Sequence, residues 1–152
     1  MEKPVKPYVT RRAVRELVVQ FLYQFDINGG SLDEALPLFW ETQEQVGEMG
    51  HKFAEELVRG VMEKRAAVDE KIARYTENWD LPRMAAVDRN ILRLAIYEML
   101  FRDDIPPIVS INEAVDIAKK FSTRESGAFV NGILDRLKAD LTRPSRTSTS
   151  PR

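Results

Sequence analysis

Arg11, Arg12 and Arg15 lie close together near the start of this chain, and Gln20 and Tyr23 follow at helical spacing. On a helical wheel the apolar stripe centres near Val14, Phe21 and Phe25. Arg11 and Arg15 flank that stripe, and Arg12, Val19 and Tyr23 continue round the same side. The spacing predicts three guanidinium groups and one ring on a contiguous strip. Guanidinium forks suit phosphate oxygens, and an aromatic ring can stack on an unpaired base. Residues 1–25 carry five basic groups (Lys3, Lys6, Arg11, Arg12, Arg15) against two acids, Glu2 and Glu16. A local basic stripe permits a short nucleic-acid footprint, although a solvated helix face would carry the same charges. Tyr23 also fits a boundary position, with its ring in the core and its hydroxyl in water.

A second feature lies near the C-terminus. Val130, Ile133, Leu134, Leu137 and Leu141 define a buried helix face, and Phe129 sits off its centre, in line with Glu125, Gly132 and Arg136. A ring there is either peripheral core or a stacking platform. Gly132 inside a helix costs about 1 kcal/mol relative to alanine. Either close helix approach or access of the backbone to a ligand would account for it.

Other chemistries find no residues to carry them. The 152-residue chain has no cysteine, which excludes disulfides and thiolate sites, and His51 is the only histidine. Gly29-Gly30 lacks the lysine motif of a phosphate loop. The adjacent acids Glu55-Glu56 and Asp103-Asp104 do not converge on a point. No catalysis, cofactor or metal site is expected. Net charge is −1. With no run of 18 apolar residues and no signal-like start, a soluble cytoplasmic protein without membrane contact is expected.

The elements that must position these residues all read as helix. Val14, Leu17, Val18, Phe21, Leu22 and Phe25 predict a helix over about 9–27, stopped by Asn28-Gly-Gly30. Ser31-x-x-Glu34, Ser110-x-x-Glu113 and Ser122-x-x-Glu125 have the pattern of capping boxes, opening a helix that meets Pro37 near its first turns, a helix to Phe121 and a last helix to about Asp140. Phe53, Leu57, Val61, Val68 and Ile72 mark one long helix, or two joined near Lys64-Arg65-Ala66. Trp79-Asp-Leu-Pro82 is a break. From Val87 to Phe101 apolar residues go almost all the way round, as in the middle helix of a bundle, and Asp103–Pro107 ends it. The expected fold is all-α, a compact bundle of about six to seven helices without sheet. One domain over 1–141 is expected, with halves of about 1–80 and 81–141 and a disordered polar tail over 142–152.

The run Val87-Asp-Arg-Asn-Ile-Leu-Arg-Leu-Ala-Ile-Tyr-Glu-Met-Leu100 is followed by Ile105-Pro-Pro, Ile111-Asn-Glu-Ala-Val115 and Phe129-Val-Asn-Gly132. Together with Arg11-Arg12-Ala-Val-Arg15-Glu and Gln20-Phe-Leu-Tyr23, this order resembles the NusB family from about Thr10 to Leu137. The resemblance implies an antitermination adaptor, not an enzyme, that binds boxA-type single-stranded RNA. The implied partners are the ribosomal protein NusE and the RNA polymerase elongation complex, notably on ribosomal RNA operons. It assigns RNA contact to Arg11, Arg12, Arg15, Gln20, Tyr23, Phe129 and Asn131, with Lys119 and Lys120 as electrostatic helpers. It assigns partner contact to Asp88, Ile105, Pro106, Pro107, Ile108 and Glu125. Glu125 fits a helix cap equally well.

Ala13 and Gly127-Ala128 stand where the family often carries further basic residues, which implies weak RNA affinity alone and dependence on the partner. Two other readings remain. One is a protein-interaction bundle whose basic face is only solvated. The other is a domain related to those preceding RNA cytosine methyltransferases, disfavoured by the missing cysteine and by nothing catalytic after Leu141. The residues leave weak homodimerisation open.

Overall fold

A computed structural model describes residues 10–43, 46–76 and 84–142. Among them lie seven helices and no strand: α1 (Arg11–Asn28), α2 (Leu32–Glu41), α3 (Gly47–Glu63), α4 (Arg65–Thr76), α5 (Ala86–Phe101), α6 (Pro107–Phe121) and α7 (Arg124–Thr142). The Trp79–Pro82 break and the tail beyond Thr142 lie outside the described residues.

α1 begins where the Thr10 hydroxyl accepts the Ala13 N–H at 3.1 Å. Of the predicted stripe it buries Val14, Val18, Phe21 and Leu22, with Leu17 and Phe25 partly buried against the core. Gly29, at φ 68, ends it by returning its N–H to the Phe25 carbonyl, a conformation that side chains with a Cβ resist. The helical segment over 47–76 resolves as two helices, since Lys64 leaves helical angles between α3 and α4. Phe53, Leu57, Val61, Val68 and Ile72 are all buried.

α5 is the central rod. It packs against α1, α3, α4, α6 and α7, and from Asp88 to Met99 only Arg89 escapes burial. Its Tyr97 lies across Gly60 of α3, where a Cβ would fall 2.0 Å from the phenolic oxygen. Gly60→Ala is therefore expected to cost about 1–3 kcal/mol through overpacking. Urea denaturation checks this, and an unchanged midpoint would show that α3 can shift without loss.

The three predicted capping boxes do not form. Ser31 precedes α2, but its hydroxyl makes no capping bond; its carbonyl takes the Glu34 and Ala35 N–H groups instead. Pro37 falls in the second turn of α2, near its start as expected, on the exposed side where the Asp33 carbonyl can meet solvent. α6 starts three residues before Ser110, because Pro107 sits at its first position with φ already set for a helix. α7 is capped by Thr123, whose hydroxyl accepts the Ser126 N–H at 3.0 Å, one residue later than the Ser122 pattern predicts. Among the described residues no helix is long and apolar enough to cross a membrane.

Candidate nucleic-acid interface

The three arginines of α1 diverge. Arg12 reaches over α6, where its Nε donates to both Glu113 carboxylate oxygens at 3.2 and 3.1 Å. Its Nη2 lies 2.5 Å from Glu113 and 2.7 Å from Asp116, yet the side chain stays 45% exposed. These hydrogen bonds, Glu113 first, push its pKa further up. Arg11 turns the other way, with its guanidinium 4.2 Å above the Phe53 ring. Arg102 shares that ring at 5.7 Å and is held by Asp104, whose carboxyl the Arg102 hydrogen bonds pull down to about 2.

Arg15 is the correction to the predicted strip. Its side chain is 4% exposed and pairs twice with Glu98 of α5, at 2.8 and 2.9 Å. The Ser110 hydroxyl donates to the same carboxylate at 2.7 Å, so the predicted cap residue is instead a partner of Glu98. Arg15 thus ties α1 to α5 and α6 and presents no exposed guanidinium to a phosphate. Periodicity placed it at the edge of the stripe; the buried carboxylate drew it inward.

Of the predicted RNA contacts, Arg12, Lys119 and Asn131 come together. From α1, α6 and α7 they line one open groove of about 530 Å³, floored by the exposed face of α6 with Asn112, Glu113 and Asp116. Lys119 has no ion-pair partner among the described residues. Its stem lies over the buried Gly127, where a Cβ would come within 2.8 Å of the Lys119 Cγ, so the glycine lets this lysine lie against α7. Lys120 is held by Glu16 at 2.9 Å. Gln20 is exposed, and Tyr23, 37% exposed, stands on the same stripe of α1 as Arg12 and Glu16.

The Phe129-Val-Asn-Gly132 motif is split between two flanks of α7. Asn131 faces the groove, while Phe129 is half-buried against the core and lines a separate recess with Tyr75, Gly132 and Arg136. A Cβ on Gly132 would meet nothing within 4 Å, so close helix approach does not explain this glycine.

The predicted partner residues fall at the two ends of α5. Near its start, Asp88 is buried, accepts the Ser126 hydroxyl at 3.2 Å, and leaves Oδ1 unpaired; desolvation pushes its pKa up. Glu125, next to Ser126, is exposed and takes no part in capping α7, which Thr123 does. At the other end Ile105 is buried at 4% exposure, which removes it from the surface, whereas Pro106 and Ile108 are exposed and Pro107 is half-buried. Ile108, Val109 and Phe101 are exposed apolar residues there, and Val109 also lines the groove. Between Asp88 and Phe101 the helix rises about 20 Å.

Glu98, Glu113 and Asp116 are the residues that sequence reasoning missed. Glu98 offered a signal, as an acid inside an otherwise apolar run. Glu113 fits half of a capping box in the sequence, and nothing local marks Asp116.

The NusB family model matches residues 12–139. A relative from Desulforapulum autotrophicum, transcription antitermination protein NusB, is 52% identical over 129 residues, covering 84% of this chain and 90% of its own. The solved structure of T. maritima NusB superposes with a TM-score of 0.80 at 40% identity, covering 88% of this chain and 93% of that one. A structure of antitermination factors NusB and NusE in complex with double-stranded RNA gives a TM-score of 0.78 at 25% identity, over 86% of this chain and 96% of that one.

Proposed function

This chain belongs to the NusB family, and we propose from that premise that it is an RNA-binding transcription antitermination factor. It binds boxA-type single-stranded RNA together with ribosomal protein NusE and helps assemble the antitermination complex on RNA polymerase, notably on ribosomal RNA operons. Its work is cytoplasmic and non-enzymatic. The observation that carries this reading is the groove in which Arg12, Lys119 and Asn131 meet. Cations take phosphate oxygens and an amide reads a base edge or a sugar hydroxyl. Val109 joins that groove to exposed Ile108, so RNA and a partner protein seated there would touch one another. Such adjacency supports mutual reinforcement.

The number of exposed cations sets the strength. Arg12 and Lys119 contacting two phosphates give a log-affinity against log-salt slope of about −1.4 on a single strand. Replacing both by alanine is expected to flatten the slope by about that amount, measured by fluorescence anisotropy of labelled boxA-type RNA in the presence of NusE. A slope that stays unchanged would place the phosphates elsewhere. Running single-stranded and duplex RNA side by side decides which form the groove takes.

Burial of Arg15 and the carboxylates around Arg12 favour a second reading, a protein-interaction module that binds NusE without touching RNA. Unchanged RNA binding by the complex after the double replacement would support it.

A further inference from the structure

We propose that Asp116 is an affinity-setting residue of the groove, whose carboxylate holds the Arg12 guanidinium that an RNA phosphate takes on binding. The inference rests on the RNA-binding reading above.

Charge accounting along the α1–α5–α6 seam singles this residue out. Arg12 and Arg15 are met by three carboxylates, from Glu98, Glu113 and Asp116. Glu98 belongs to the buried Arg15, and Glu113 lies between both arginines, 3.6 Å from Arg15 Nη1 and hydrogen-bonded to Arg12. Asp116 is the surplus acid. Its one ion pair among the described residues is with Arg12 at 2.7 Å, and its side chain is 46% exposed. A carboxylate presents oxygens to a guanidinium much as a phosphate does. The Arg12 fork is therefore anchored through Nε by Glu113 and shared at Nη2 with a second acid, Asp116, that is exposed enough to be displaced.

An exposed ion pair of this kind contributes little to the fold, so the exchange is inexpensive. Once a phosphate sits on Arg12, the Asp116 carboxylate remains beside it as a like charge. The groove thus binds weakly by itself, with Lys119 as its cation without an ion-pair partner among the described residues, and discriminates against short or loosely held anions that engage Arg12 alone. Glu113 does not share this role, because it is 16% exposed and bridges Arg12 to the buried Arg15 guanidinium.

The test uses the full chain with NusE and a labelled single-stranded boxA-type RNA, comparing the natural protein with Asp116→Asn. The amide keeps the shape and removes the charge. Affinity is expected to rise by up to about fivefold at low salt. The gain should shrink as salt rises, because the shortening Debye length weakens interactions between exposed charges. In the Arg12→Ala background the same replacement should give no comparable gain. Equal or weaker binding by Asp116→Asn overturns the inference and makes the aspartate a positioning partner of Arg12. A gain that persists without Arg12 overturns it too, since it then reflects net charge. If the natural protein binds RNA and Asp116→Asn binds no better, only this inference falls; if neither binds, the RNA-binding reading falls with it.

Discussion

Glu98→Ala is expected to lower folding stability by about 3–5 kcal/mol, because it strips a buried guanidinium of its counter-charge. Arg15 is 4% exposed, and its remaining acid, Glu113, stands 3.6 Å away and is committed to Arg12. The Ser110 hydroxyl would also lose its acceptor, a further cost of unsatisfied burial. Arg15→Ala should be as damaging, for the mirror reason that it leaves the Glu98 carboxylate, 1% exposed, without a counter-charge and with only the Ser110 hydroxyl as donor. Arg15→Lys should recover only part of the loss, since an ammonium cannot make the two parallel bonds that the guanidinium makes. The paired replacement Arg15→Met with Glu98→Leu removes both charges together and is expected to be far milder than either alanine alone. Urea unfolding reads all of these. Single-variant losses below about 1 kcal/mol would mean that water reaches the pair, contrary to its burial. The functional corollary is that RNA binding lost on mutating Arg15 reports the fold unless stability is measured beside it.

Tyr23→Ala should weaken RNA binding by about 1–3 kcal/mol, or roughly five- to 150-fold, while leaving the helical content in place. The ring is 37% exposed on the stripe that continues from Arg12, and the eleven-residue step from one to the other spans about 16 Å of helix. A base stacked on Tyr23 would therefore lie several nucleotides along a strand whose phosphates enter at the groove. Tyr23→Phe keeps the π-face and should bind nearly as the natural protein does. Anisotropy with NusE present separates the outcomes. Equal loss in Phe and Ala would assign the effect to the hydroxyl, and no loss in either would return Tyr23 to a boundary role.

Where residues interact within one or two helical turns, the sequence carried the information. The 3.6-residue stripe of α1 and the all-round apolar surface of α5 follow from side-chain period alone, and both helices are where that period puts them. The Ser-x-x-Glu pattern failed in three places because a capping side chain has competitors that lie elsewhere. Ser110 found Glu98, Ser122 was pre-empted by Thr123, and Ser31 served through its carbonyl. The fate of Arg15 was equally non-local, since its partner lies 83 residues away in sequence. For the site, the family resemblance names Arg12, Lys119 and Asn131 without showing that they share a groove. It also grouped Phe129 with Asn131, although residues two apart on a helix point to opposite flanks.

The most direct test of the account is fluorescence anisotropy of a labelled single-stranded boxA-type RNA with this protein alone, with NusE alone and with both. The expected result is weak binding by each protein, much tighter binding by the pair, weakening with salt, and loss of that tightening when Arg12 and Lys119 are both alanine. Absence of binding by the pair, or full binding by the doubly substituted protein, would contradict the assignment of RNA to this groove.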